Sequence, residues 1–491
     1  MTDAWTHFED WTGTLSDIGG AGALLGWDRE TGMPPAGSET RARQLGTLAA
    51  IHHRELTRPD IDGALAELEA DTSLTAERAR QVEVMVRARR RAQRMPESLV
   101  RELSEATSRC VGVWIEMRGA GDYAAFAEPF RRVVELKRVH ARTVADGVEP
   151  YDALLDDYEP GARAAELEPV FADLRERLTP LVELGAARPR PGLPQRHWPA
   201  ESQVALARDL AELVGYDMSA GAVALSAHPF TSSPGYGDVR FTTRVDEANP
   251  VGSIMAVLHE TGHALYEQGF PAAYARTPLL DAPSMGAHES QSRFWENHVG
   301  RTRPFWERIG PLLHGRFPEA MRGLDAADLQ REATAVEPSL IRVEADEVTY
   351  NLHIALRFEL ELALIRGDLE VEDLPTEWNA RMRDFLGIVP PHDGVGVMQD
   401  IHWPEGLFGY FPTYTLGNLY AAQLAEAADT HVDGLDRAIA DGRFAEILAF
   451  MRERVHVWAN LRPTRDVMVE ATGGPLSADA LVAHLRGVAA G

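Results

Sequence analysis

Residues 249–269 read NPVGSIMAVLHETGHALYEQG, a pattern that is typical of a single helix. Asn249 followed by Pro250 is typical of a helix start, with asparagine as the capping residue and proline in the first helical position. Apolar residues then recur at helical spacing, and no proline or glycine interrupts residues 253–261. Gly269 ends the pattern. The stretch therefore predicts one amphipathic helix of about five turns.

A metal-binding pattern lies within this predicted helix. His259 and His263 are four residues apart, so their side chains lie on one face and can converge on one zinc ion. Glu260 follows the first histidine and reaches the water that such an ion binds. In zinc peptidases of this kind the third ligand is often a glutamate on a following helix. Glu289, which comes after a segment rich in glycine and proline and after Ser284 as a possible cap, is the candidate.

The composition limits the expected partners. The 491 residues carry a formal charge of −26, which disfavours nucleic acid and anionic membranes as partners. Cys110 is the only cysteine, so a metal must be held by histidine and carboxylate, and an intrachain disulfide is impossible. The sequence lacks a signal-peptide pattern and an apolar run of about 20 residues. The cytoplasm is therefore the expected compartment.

Helical periodicity dominates the chain, and a mainly α fold is predicted. Strand signals occur at one place, where apolar and polar residues alternate over 239–245 and the short apolar piece 222–225 can pair with them. This small sheet is expected beside the helix of 249–269. Further expectations are helices over 284–299 and 341–366, an ordered aromatic loop over 390–416, and a proline-rich hinge or plain connection over 187–201.

Six short motifs follow one another in the order found in a known family. They are His228-Pro229-Phe230, Asp238-Val239-Arg240-Phe241-Thr242, His259 to His263, His288-Glu289-Ser290-Gln291, Ile341-Arg342-Val343-Glu344-Ala345-Asp346, and Gly396-Val397-Met398-Gln399-Asp400-Ile401-His402-Trp403. With these motifs the chain resembles the M32 carboxypeptidases, the family of carboxypeptidase Taq, over essentially its whole length. Six motifs in this order are highly specific, and none of them departs from the family pattern.

The resemblance implies a nearly all-helical, two-lobed protein with a deep central groove, formed by one peptidase domain of residues 1–491. A helical lobe takes about residues 1–190, and the catalytic part takes about residues 200–491. The resemblance also implies a homodimer, and metal-dependent removal of single C-terminal residues from peptides with broad specificity.

The site residues of the family carry over by matching motif. The metal ligands are then His259, His263 and Glu289, and Glu260 is the general base. One divalent ion per chain is expected. Zinc is the first expectation, and cobalt or manganese are alternatives.

Peptide hydrolysis also needs a hydrogen-bond donor beside the metal for the oxyanion of the tetrahedral state. Tyr414, His402 and Tyr410 lie in the aromatic loop and are the candidates. Tyr414 is favoured because a tyrosine is long and neutral, and Tyr410 is expected to contact the substrate as well. Each tyrosine could instead serve only for packing.

An enzyme that cuts at a C-terminus must recognise a free carboxylate, and the guanidinium of arginine can pair with both carboxylate oxygens. Arg342 and Arg240 are the candidates. Taken alone, either arginine fits a structural salt bridge better, and the resemblance favours Arg342 for the substrate. His228 is expected to contact the substrate near the metal. Three residues either orient the ligands or act as caps and packing groups: Asp346, Gln399 and Asp400.

Two other functions stay open at this point. A zinc oligopeptidase or dipeptidyl carboxypeptidase of related fold would use the same metal pattern but cut peptides internally or two residues from the end. A non-enzymatic helical protein would use the metal only for structure. The products formed from a defined peptide, and the effect of replacing Glu260, distinguish the three.

Overall fold

Helices make up most of the described chain, which comprises residues 3–145, 147–188 and 192–491 of this computed structural model. The mainly α fold expected from the sequence is confirmed. None of the described helices is both long enough and apolar enough to cross a bilayer. The proline-rich stretch 187–201 falls partly outside the described ranges, and its residues 192–199 form no regular element.

Nine α-helices precede the sheet in the described ranges. They are α1 (Asp3–Thr31), α2 (Ser38–Thr57), α3 (Asp62–Ala70), α4 (Ala76–Arg94), α5 (Glu97–Ala120), α6 (Tyr123–Val144), α7 (Pro150–Leu155), α8 (Ala164–Ala186) and α9 (Ala200–Leu213). Trp5, Phe8 and Trp11 of α1 pack with α3 and α4 in a small apolar core of their own. A larger core runs from α5 to the end of the chain. Because both predicted lobes contribute to it, the division near residue 190 stays a prediction.

Three strands form the sheet: β1 (Val223–Leu225), β2 (Thr231–Gly235) and β3 (Asp238–Thr243). β3 lies in the centre, parallel to β1 and antiparallel to β2. The sequence did not predict β2, because its residues TSSPG lack the alternation of apolar side chains that marks a strand. Helix α1 covers β2 so closely that a Cβ on Gly20 would lie 2.2 Å from the Pro234 oxygen.

Eleven α-helices follow in the described ranges. They are α10 (Pro250–Gln268), α11 (Met285–Arg293), α12 (Arg303–Arg316), α13 (Ala326–Ala333), α14 (Glu347–Arg366), α15 (Leu374–Leu386), α16 (Pro412–His431), α17 (Leu435–Ala440), α18 (Phe444–Arg454), α19 (Thr464–Thr472) and α20 (Asp479–Ala490). Asn249 caps α10 by accepting a hydrogen bond from the Val251 N–H at 3.0 Å. Helix α10 packs against β3. The predicted helix and the small sheet beside it are thus confirmed.

The predicted helix over 341–366 begins too early. Residues 342–344 form a separate 3-10 turn, and α14 starts only at Glu347. Asp346 determines this start, because its carboxylate accepts hydrogen bonds from the backbone N–H groups of Val348 and Thr349, at 2.9 and 3.0 Å.

Two other predicted elements also differ in extent. The helix predicted over 284–299 is α11 followed by a π-helical segment, Phe294–Gly300. The predicted loop over 390–416 ends at Phe411, because α16 begins at Pro412 with proline in the first turn.

Candidate metal centre

Helices α10 and α11 bring the three predicted metal ligands together. Nε2 of His259 lies 3.7 Å from Oε2 of Glu289, and Nε2 of His263 lies 3.4 Å from the same oxygen. The ligand atoms of the three residues all lie within 4.8 Å of one another. This close approach depends on Gly262, where a Cβ would lie 2.6 Å from the Gln291 oxygen on α11. The sequence therefore places a glycine where the two ligand-bearing helices touch.

The arrangement fits a small divalent cation. Two ligand atoms bound to one tetrahedral ion at about 2.1 Å lie about 3.4 Å apart, close to the separations found here. Two imidazole nitrogens and one carboxylate oxygen are a donor set that suits zinc and other divalent transition metals. Three protein ligands also leave one coordination position for water or substrate.

Hydrogen bonds orient both histidines with Nε2 towards Glu289. Nδ1 of His259 lies 2.9 Å from Oε2 of Glu296, and Nδ1 of His263 lies 3.1 Å from the backbone oxygen of His288. With the proton on Nδ1, each ring donates to its acceptor and keeps the Nε2 lone pair free; Nδ1 of His288, 2.5 Å from Nδ1 of His263, is then a second acceptor for that proton. Glu296 is buried and is not part of the motifs recognised in the sequence.

Arg293 keeps Glu289 ionised. Nε of Arg293 donates to Oε1 of Glu289 at 2.6 Å, while the other oxygen, Oε2, lies towards the two histidines. Burial alone would raise the pKa of Glu289, but Arg293, His259 and His263 together hold that pKa well below its usual range. A carboxylate, rather than a neutral carboxyl group, is the form that binds a metal.

Glu260 lies between the metal ligands and the sheet. Its side chain is 6% exposed, and its Oε2 accepts a hydrogen bond from Oγ1 of Thr231 on β2 at 2.7 Å. Burial raises the pKa of Glu260, with His259 and Thr231 opposing the effect. A raised pKa suits a carboxylate that takes up and returns a proton near neutral pH.

Arg342 and Asp400 connect two of the sequence motifs. Oδ1 of Asp400 accepts from Nε of Arg342 at 3.1 Å and from Nη2 at 2.9 Å. The Arg342 backbone N–H donates to Oε1 of Gln399 at 2.8 Å. Nη1 of Arg342 donates to the hydroxyl of Tyr350 at 3.2 Å. These contacts fix the position of the guanidinium.

Asp346 and Gln399 bind backbone groups. Asp346 caps α14. The side-chain amide of Gln399 accepts from the Arg342 N–H and donates to the backbone oxygens of Leu340 and Gly396. Among the hydrogen bonds of the described residues, neither side chain contacts His259, His263 or Glu289. Capping and packing was one of the two roles considered for them from the sequence, and their geometry favours it.

The three aromatic-loop candidates cluster beside Arg342. Nε2 of His402 lies 3.4 Å from the Tyr414 hydroxyl, the rings of Tyr410 and Tyr414 are 5.4 Å apart, and the Arg342 guanidinium lies 5.1 Å from the centre of the Tyr414 ring. Burial raises the pKa of Tyr410, and the charge of Glu289 adds to that increase. Burial and Arg342 lower the pKa of His402 to about 4. These side chains are therefore neutral at pH 7.

Arg240 and His228 are placed differently from Arg342. Both oxygens of Asp238 pair with Arg240, at 2.7 Å each, and the guanidinium lies 5.8 Å from the centre of the Trp27 ring. His228 is exposed in the connection between β1 and β2. The side-on face of Arg240 is thus already occupied by a neighbour on its own strand.

Comparison with known proteins agrees with this geometry. The family model described as Carboxypeptidase Taq (M32) metallopeptidase matches residues 7–488. Thermostable carboxypeptidase 1 of Thermus thermophilus is 44% identical and covers 98% of this chain and 96% of its own length. Carboxypeptidase 1 of Bacillus subtilis is 36% identical with the same coverage. The crystal structure of an M32 carboxypeptidase from Deinococcus radiodurans superposes with a TM-score of 0.97 at 36% identity, covering 99% of this chain and 98% of that one.

A helical fold with two histidines and a glutamate converging on one point defines the class as a metallopeptidase. The chain belongs to the M32 family of metallocarboxypeptidases, the carboxypeptidase Taq family, and is thus a peptide hydrolase. The non-enzymatic protein considered from the sequence is thereby excluded.

Proposed function

We propose that this enzyme is a zinc carboxypeptidase that releases single residues from the C-terminus of peptides. The convergence of His259, His263 and Glu289, with Glu260 beside them, supports the proposal most directly. Zinc is proposed because the donor set contains two imidazoles and one carboxylate, the set that is common in catalytic zinc sites. Broad specificity is proposed because every peptide ends in the carboxylate that an arginine recognises.

The general base in this proposal is Glu260. A divalent ion held by the three ligands supplies a more acidic water and a polarised scissile carbonyl. Oε2 of Glu260 already accepts from Thr231, so Oε1 is the oxygen that takes the proton of the attacking water. Glu260 then delivers this proton to the nitrogen of the leaving residue. The raised pKa of Glu260 makes both transfers accessible near neutral pH.

Tyr414 is proposed as the donor to the oxyanion. Its hydroxyl keeps its proton, because burial raises its pKa well above the usual range. His402 lies within 3.4 Å of that hydroxyl and orients it, and Tyr410 packs beside it. A neutral donor fixed in this way stabilises developing negative charge without reorganising.

Arg342 is proposed as the group that binds the substrate carboxylate. Its guanidinium lies beside the ring of Tyr414, the proposed oxyanion donor, whereas the guanidinium of Arg240 lies beside the ring of Trp27. Recognition of the terminal carboxylate places the last peptide bond, and not an internal one, at the metal centre. This step separates a carboxypeptidase from an oligopeptidase with the same metal ligands.

A time course on one defined peptide tests the proposal. The zinc-loaded enzyme is incubated with a peptide of ten different residues, and all products are followed by mass spectrometry. Free amino acids released one at a time from the C-terminus support the proposal. Internal fragments, or dipeptides released from the C-terminus, would instead support the oligopeptidase or dipeptidyl alternative.

A further inference from the structure

Asp400 lies between two buried arginines. Its Oδ1 pairs with Arg342, and its Oδ2 accepts from Nε of Arg357 on α14 at 2.7 Å. The Arg357 side chain is 0% exposed and cannot touch a substrate. Its guanidinium lies 4.7 Å from the centre of the Trp378 ring, and its Nη1 donates to the backbone oxygen of His353 at 2.7 Å. Arg357 therefore acts on Arg342 through Asp400 and through its charge.

Two cations face one anion in this cluster. Burial, with Arg357 and Arg342 adding to it, lowers the pKa of His353 to about 3, so this histidine is neutral, as His402 is. Glu361, one turn after Arg357, forms no ion pair with either arginine among the described residues, and burial raises its pKa to about 7. Below neutral pH the cluster thus keeps one uncompensated positive charge.

Arg342 retains hydrogen-bonding capacity for a ligand. A guanidinium has five N–H groups, and Arg342 directs three of them to Asp400 and Tyr350. One N–H on each terminal nitrogen has no acceptor among the described residues. If Arg342 faced Asp400 alone, the pair would be neutral and its attraction for a carboxylate would be weak. Arg357 adds a second positive charge beside Asp400, so the three charged groups together attract a carboxylate.

We infer that Arg357 is a positioning residue that neutralises Asp400 and so leaves the charge of Arg342 available for the C-terminal carboxylate of the substrate. The inference rests on the proposed role of Arg342. It adds a residue that never contacts the substrate and that lies outside all six sequence motifs. The buried charge of Arg357 makes the enzyme prefer a peptide with a free C-terminal acid over one with a C-terminal amide, since the amide carries no charge.

The test compares inhibition by one cleavage-resistant, N-methylated tripeptide as free acid and as C-terminal amide, below neutral pH. The ratio of the two inhibition constants measures selectivity for the carboxylate. Arg357→Met is expected to reduce this ratio by about tenfold or more. Arg357→Lys, which keeps the charge, is expected to retain most of it. The double variant Arg357→Met/Asp400→Asn restores one uncompensated cation, and its ratio is expected to return to within about threefold of the unmodified enzyme.

A purely structural role for Arg357 gives a different pattern, because a second substitution in a damaged core restores nothing. The inference is overturned if Arg357→Met keeps its selectivity, or loses it without recovery in the double variant. If Arg357→Met does not fold, Asp400→Asn alone decides the question. With both arginines intact its ratio is expected to stay or rise, and a fall would overturn the inference.

Arg342→Ala separates the two proposals. An unchanged ratio there refutes the proposed carboxylate site, whereas a collapsed ratio there with an unchanged ratio in Arg357→Met refutes only the role of Arg357.

Discussion

Nδ1 of His259 lies 2.9 Å from Oε2 of Glu296, a buried carboxylate from the π-helical segment after α11. Burial alone would raise the pKa of Glu296, but Arg293, His259 and Arg301 hold it well below its usual range. Glu296 is therefore a carboxylate that fixes the tautomer of His259. Glu296→Gln is expected to lower the affinity for zinc by about 10- to 100-fold. Competition with a chromophoric chelator measures this affinity.

Glu307→Gln is the matched control for that change. Glu307 lies on the exposed surface of α12 and pairs with Arg303. Among the described residues it forms no hydrogen bond with His259 or His263. Its affinity for zinc is expected to equal that of the unmodified enzyme. Equal affinity in both variants would show that Glu296 does not orient the ligand.

Replacing Glu260 separates metal binding from catalysis. Glu260 is not one of the three converging ligands, so Glu260→Gln is expected to keep one zinc per chain. Turnover is expected to fall by about 10²- to 10⁴-fold, because the amide cannot take a proton from water. Metal content and kcat are measured on the same sample. Turnover near that of the unmodified enzyme in a fully zinc-loaded variant would remove Glu260 from the mechanism.

The two arginine candidates give different kinetics when removed. Arg342→Ala is expected to raise KM for a free-acid peptide by about tenfold or more, because a buried charge-assisted contact is lost. Arg240→Ala is expected to change KM much less, since the guanidinium of Arg240 lies beside Trp27, whereas that of Arg342 lies beside Tyr414. Steady-state kinetics of the two variants provide the comparison, with thermal unfolding as a check on folding. The reverse order of effects would transfer the carboxylate site to Arg240.

Glu159 makes stability depend on pH. It accepts a hydrogen bond from the Gly286 N–H at 3.0 Å at the start of α11, and burial raises its pKa to about 7 against the opposing effect of hydrogen bonds from Ser284 and Gly286. In the unfolded chain a glutamate has a pKa of about 4.3. Between these values the folded state holds the extra proton, so stability decreases as pH rises through this window and levels off above pH 7.

Glu159→Gln removes this contribution. From the acid end of this window to the alkaline end, the unfolding free energy of the variant is expected to rise by about 4 kcal/mol relative to that of the unmodified enzyme. Denaturant unfolding across that range measures the difference. Glu166→Gln, at an exposed position on α8, is the control and is expected to follow the unmodified enzyme. Parallel curves for all three proteins would contradict the assignment.

The helices and the ligands could be predicted from the sequence because their signals are local. Asn249, Pro250 and the four-residue spacing of His259 and His263 are sufficient to predict α10 and the face that carries its histidines. Glu289 could be proposed because a cap and a helical pattern surround it. Each of these inferences uses residues within a few turns of one another.

Glu296 and Arg357 could not be predicted in the same way. Glu296 contacts His259 on α10 from a π-helical segment that follows α11. In such a segment the usual helical spacing of three or four residues no longer applies. Arg357 acquires its role from Asp400, which lies 43 positions away and in an irregular loop. In the sequence each is one charged residue among many, because its partner is brought to it only by the tertiary fold.

One metal ion at His259, His263 and Glu289 is proposed to drive peptide hydrolysis. Titration of the metal-free enzyme with zinc tests it directly, with bound metal and released C-terminal amino acid followed together. Both signals are expected to rise in parallel and level off at one ion per chain, and both are expected to disappear in Glu289→Ala. Full hydrolysis without metal, or unchanged hydrolysis by Glu289→Ala, would show that this metal ion does not drive the reaction.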